Sequence, residues 1–127
     1  MKVPILGEIS CGNPLTVMEQ AESYMYELRD GLPQGDLFAL IAKGESMTPT
    51  ITDGSKVLVR VQNDVENGEI AAVLLNGDTE ATLKRVKKQG EATMLVPDNT
   101  NYEIILVNEQ NPARIIGKVV RAIKDFT

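Results

Sequence analysis

From residue 36 onward the chain is a succession of short apolar runs, each closed by turn-forming residues. LFALIAK at 37–43 ends at Gly44, and KVLVRV at 56–61 is rich in valine with charges interspersed. EIAAVLL at 69–75, ATLKRV at 81–86, ATMLVP at 92–97, EIILV at 103–107 and IGKVVRAI at 116–123 follow. Between them stand Asp53-Gly54, Asn67-Gly68, Asn76-Gly77-Asp78, Gln89-Gly90 and Asp98-Asn99. β-Branched residues suit a pleated, half-buried surface, and Gly, Asn and Asp supply tight turns. Many short strands with short links predict a mainly β fold, built of strongly curved antiparallel sheets or a partly closed barrel. The first stretch differs: Pro4, Gly7, Gly12 and Pro14 punctuate small apolar groups, which suits an extended segment broken by turns. A short helix is expected near Met18 to Met25.

Composition narrows the chemistry. With 127 residues the chain has the size of one domain. It holds one Cys and no His, which excludes an internal disulfide, a cysteine cluster for zinc or iron–sulfur, and every His-dependent catalytic triad. Catalysis is left to carboxylates, Ser, Thr, Tyr, Lys, Arg or the lone Cys11. Neither a GxGxxG nor a GxxxxGK[ST] run follows a strand, and no metal or cofactor is expected. A net charge of -5 disfavours non-specific binding to nucleic acid. No apolar run approaches the length of a spanning helix, so a cytoplasmic protein without membrane association is expected.

Three features carry candidate chemistry. GESMTP at 44–49 lies between a strand and the Asp53-Gly54 turn. A tight turn there would present Ser46 as a nucleophile, with the backbone N–H groups of Ser46 and Met47 as candidate oxyanion donors; taken alone, a serine at a turn is more often a simple cap. In ATLKRV a strand places Thr82, Lys84 and Val86 on one side, with Leu83 and Arg85 on the other. A Lys84 facing the interior would be desolvated toward its neutral form and able to take a serine proton, although a mid-strand lysine more often reaches solvent. Cys11-Gly12 is a small residue followed by glycine, which fits a narrow active site as a scissile bond and equally fits a small packed side chain and a turn. Lys84, Arg85, Lys87 and Lys88, with Arg114, Lys118, Arg121 and Lys124 later, suit a solvated strand edge or a partner surface.

Taken in order, CG at 11–12, GESM at 44–47, DG at 53–54, NGEIAAV at 67–73, TLKRVKKQG at 82–90, LVPDNTNY at 95–102 and IIGKVVRAI at 115–123 resemble the C-terminal self-cleavage domain of LexA-type and phage repressors. UmuD-like accessory proteins of error-prone polymerases share the arrangement. The resemblance implies a fold like the catalytic domain of bacterial signal peptidases, with Ser46 as nucleophile, Lys84 as general base and Cys11-Gly12 as the intramolecular scissile bond. Cys11 stands where LexA itself usually has Ala. One domain over 1–127 is implied, with 1–35 carrying the cleavage-site segment and 36–127 the catalytic core. It further implies a homodimer, cleavage stimulated by the activated RecA–DNA filament in the DNA-damage (SOS) response, and DNA recognition only through an upstream helix-turn-helix domain. Two other readings stand beside the repressor: a naturally short UmuD-like protein, and a dimerisation module whose catalytic residues are unused.

Overall fold

The computed structural model describes residues 1–9 and 12–126. In chain order the elements are β1 (Lys2–Pro4), α1 (Pro14–Glu19), β2 (Tyr24–Tyr26), β3 (Leu37–Ile41), β4 (Lys56–Val61), β5 (Ile70–Leu75), β6 (Thr82–Gln89), β7 (Ala92–Val96), β8 (Ile105–Val107) and β9 (Ala113–Ile123). β3 to β9 make a seven-stranded sheet in the order β3-β4-β9-β5-β6-β7-β8, and β1 pairs with β2. All pairings between these strands are antiparallel, as the turn-rich sequence predicts. The long β9 is central, and its ladders with β4 and β5 slip register at Leu58/Val59 and at Ala72/Val73. Such bulges bend a strand and raise its local twist, which curves the sheet.

Side-chain alternation divides the apolar residues between the two faces of this sheet. Phe38 and Leu40 of β3, Val57 and Val59 of β4, Ala72 and Leu74 of β5 and Leu83 of β6 share one core with Ile116 of β9. On other faces Leu37, Ala39 and Leu58 pack with Val3 and Met25, while Ala71, Val73 and Val86 pack with Val65 and Leu95. The first core is closed by two non-strand segments: Leu6 and Ile9 near the N-terminus, and Met47 and Ile51 after β3. Backbone bonds hold the former in place, with Leu6 N–H donating to Ala39 O at 2.8 Å and Ile9 N–H to Thr79 O at 2.6 Å.

The helix falls earlier than the expected Met18–Met25. Asn13 caps α1 by accepting from Leu15 N–H at 3.1 Å, and Pro14 takes the first helical position, where its missing N–H costs nothing. The Asn-Pro pair therefore starts a helix and does not continue an extended stretch. Tyr24–Tyr26 forms β2 instead, because Met25 opposite Val3 fills the second core. No helix among the described residues is long and apolar enough to cross a membrane.

Candidate active site

Lys84 is one of two buried polar or charged residues among the described residues, at 8 % exposure. Its neighbours on β6 alternate as the strand requires, Leu83 entering the first core and Val86 the third. The ammonium end meets Thr82 Oγ1 at 3.0 Å, Leu83 O at 3.1 Å and Ser46 Oγ at 3.1 Å. Burial pushes its pKa below the ordinary lysine value, and no neighbouring carboxylate pulls it back up. A neutral amine has two N–H donors and one lone pair. Thr82 Oγ1 and Leu83 O can take the two donors, leaving the lone pair facing the Ser46 hydroxyl. The same three contacts thus serve the charged and the neutral lysine.

Ser46 rides on an excursion between β3 and β4. Its base is tied by Ala42 N–H to Ser55 O at 2.9 Å and by Gly54 N–H to Ala42 O at 2.8 Å. Gly44 turns the chain with φ +81°, and its N–H donates to Asp53 Oδ1 at 2.6 Å. Beyond Ser46 the loop is anchored by Met47 and Ile51, which are 4 % and 3 % exposed. Within it Thr48 N–H donates to Glu45 O at 3.2 Å and Ile51 N–H to Met47 O at 2.9 Å. Among the described residues, the N–H groups of Ser46 and Met47 donate to no acceptor. Such N–H groups, beside a nucleophile, are what a developing oxyanion requires.

A groove of about 420 Å³ opens beside Ser46, its apolar wall including Ile5, Leu40, Met47, Ile51, Ala81 and Leu83. Gly12 lies elsewhere, in a second cavity with Ile9, Asn76 and Arg114. It adopts φ +64°, donates to Ile9 O at 3.1 Å, and faces the Arg114 guanidinium. Ser46, Met47 and Lys84 therefore come together, whereas Gly12 does not join them, and Cys11 lies outside the described residues.

Sequence reasoning missed three contributors. Thr82, two residues before Lys84 on the same side of the strand, was legible as a neighbour but not as an acceptor for its ammonium. Asp98 and Asn99 read only as a turn, yet Asn99 N–H donates to Ser46 O at 3.0 Å and Asn99 Nδ2 to Glu45 O at 3.0 Å. Half of the eight basic residues noted in the sequence are in ion pairs: Arg85 with Asp98 at 2.8 Å, Lys88 with Asp64 at 2.9 Å, Lys118 with Glu69 at 2.5 Å and Arg121 with Glu27 at 3.5 Å.

The chain is similar to known proteins over most of its length. Residues 4–120 match the family described as Peptidase S24-like. The chain is 41% identical over 123 residues to the LexA repressor of Leifsonia xyli, covering 96% of this chain and 53% of that protein. It is 42% identical over 125 residues to the LexA repressor of Pseudarthrobacter chlorophenolicus (98% and 48%), and 35% identical over 127 residues to that of Leuconostoc mesenteroides (98% and 58%). The chain belongs to the Peptidase S24-like family. It spans about half the length of these curated relatives.

Proposed function

We propose that the chain is the C-terminal domain of a LexA-like transcriptional repressor, a serine endopeptidase that cleaves its own Cys11-Gly12 bond through Ser46 and Lys84. The observation that carries this reading is the 3.1 Å approach of Lys84 Nζ to Ser46 Oγ, made by a buried lysine whose pKa is lowered. Neutral Lys84 takes the hydroxyl proton as Ser46 Oγ attacks the Cys11 carbonyl carbon. The N–H groups of Ser46 and Met47 receive the resulting oxyanion. Collapse breaks the Cys11–Gly12 bond, and Lys84 returns its proton to the departing Gly12 nitrogen, leaving an ester on Ser46. Water, giving a proton to Lys84, then hydrolyses that ester to a Cys11 carboxylate and restores Ser46.

Gly12 occupies its own cavity, so cleavage requires this segment to move into the Ser46 groove. Covalent attachment gives it a high effective concentration once there. In this reading the activated RecA–DNA filament favours the docked arrangement and contributes no catalytic side chain. The division into a cleavage-site segment at 1–35 and a catalytic core at 36–127 is one of roles, since Leu6 and Ile9 already pack in the core. The protein works as a cytoplasmic homodimer, with operator DNA bound by a helix-turn-helix domain upstream of these residues. The LexA relatives favour the repressor over a polymerase accessory protein.

Intact-mass measurement during incubation at alkaline pH tests the reading. Wild type should yield two fragments whose masses place the cut between Cys11 and Gly12, and folded Ser46→Ala should remain whole. An intact wild-type chain, or normal cleavage of Ser46→Ala, contradicts it.

A further inference from the structure

The two peptide groups on either side of Ser46 are gripped from behind by one residue, through its side chain on one and its backbone N–H on the other. Asn99 Nδ2 donates to Glu45 O at 3.0 Å, and Asn99 N–H donates to Ser46 O at 3.0 Å. In a planar trans peptide the C=O and N–H point in opposite directions. The oxygen ends held by Asn99 therefore belong to the peptide units whose opposite ends are the N–H groups of Ser46 and Met47, neither of which donates to an acceptor among the described residues. Donation into a peptide oxygen also polarises that peptide and strengthens its N–H as a donor.

Asn99 is itself oriented. Its Oδ1 accepts from Asn101 N–H at 3.0 Å, which leaves the amide NH₂ facing Glu45 O and Thr48 Oγ1. The preceding residue fixes the turn to the sheet and to the loop at once. Asp98 accepts from Arg85 Nε and Nη2, each at 2.8 Å, and from Thr50 Oγ1 at 2.6 Å. Arg85 in turn donates to Gly68 O at 2.7 Å, so the support runs from β6, beside Lys84, to the back of the Ser46 loop.

We propose that Asn99, held in place by the Arg85–Asp98 pair, is a positioning residue that aims the Ser46 and Met47 N–H groups at the oxyanion of the cleavage reaction. This rests on the self-cleavage reading above. It assigns Asn99 no contact with the scissile bond and no part in proton transfer. Asn99→Asp keeps the acceptor for Asn101 N–H but sets an oxygen against Glu45 O, turning the grip into repulsion.

The test follows self-cleavage by intact mass over a pH series in wild type, Asn99→Asp, Asn99→Ala and the control Asn101→Ala, with circular dichroism on each. Both Asn99 variants, which keep the backbone bond to Ser46 O, should cleave about tenfold more slowly at alkaline pH, a smaller loss than the roughly 100- to 1,000-fold seen when an oxyanion donor is removed outright. The pH at which the rate rises should stay at its wild-type position, because Lys84 keeps its surroundings, and Asn101→Ala should match wild type. Wild-type rates in folded Asn99→Asp and Asn99→Ala overturn the proposal, as does a slower rate traced to a displaced pH midpoint. If the aspartate variant fails to fold, Asn99→Ala decides by the same criteria, and unfolding of both overturns a role confined to positioning. Failure of wild type to cleave removes the underlying reading and the inference with it, an outcome distinct from wild-type rates in the variants.

Discussion

Lys84 sits where a charged group is costly and a neutral one is useful. Its side chain satisfies Thr82, Leu83 and Ser46 without a carboxylate to offset burial, so the folded chain binds its proton less tightly than the unfolded chain does. The cost of that charge is fully present below the folded-state pKa. It fades as pH rises through that value toward the ordinary 10.5. Lys84→Met should therefore be more stable than wild type near neutral pH, since an apolar side chain of similar length escapes the desolvation cost. The advantage should shrink at alkaline pH. Urea unfolding of both proteins at two pH values measures this directly; a less stable Lys84→Met, or a gap independent of pH, contradicts the electrostatic account of the site.

At the scale of elements, β9 is the strand on which the sheet depends. Gly117 lies opposite Val61 on β4 and Ala72 on β5, and a Cβ there would stand 2.6 Å from Arg60 O and against the Val59 side chain. Backbone cannot yield as a flexible side-chain tip does. Gly117→Ala should cost about 1–3 kcal/mol through this overpacking and lower the thermal midpoint accordingly; an unchanged midpoint would show that the strand relaxes freely at this point. The same element scale explains what was legible in the sequence. Strands β3 to β9 could be read because valine-rich runs alternate with Gly- and Asn-containing turns, and Lys84 could be placed because period two fixes its side of β6. β1 falls in the first stretch, read as strand-like or extended; β2 was hidden because three residues leave little periodicity, and α1 because an Asn-Pro cap looks like a turn until the helix follows it. Ser46 and Lys84 were weak signals by residue type and were singled out by the ordered resemblance, whereas Asn99 was not, since its contact with Ser46, 53 positions away, is created only by the folded turn.

At the scale of the whole molecule, the candidate site is assembled from segments remote in sequence. Residues 5–7 line the groove, the loop after β3 presents Ser46, β6 presents Lys84, and the Asp98-Asn99 turn braces the loop. The groove and the Ser46–Lys84 contact are formed while Gly12 rests in the cavity beside Arg114; in the proposed reading, this separates readiness of the site from delivery of the bond to be cut. The central claim is that a neutral Lys84 activates Ser46. Self-cleavage rates over one pH series, for wild type, Lys84→Ala and Lys84→Arg, test it most directly. Wild-type cleavage should quicken toward alkaline pH as neutral Lys84 becomes populated, while both variants stay folded and uncut at every pH, because alanine has no base and arginine stays protonated. Normal cleavage between Cys11 and Gly12 by folded Lys84→Arg would contradict the account.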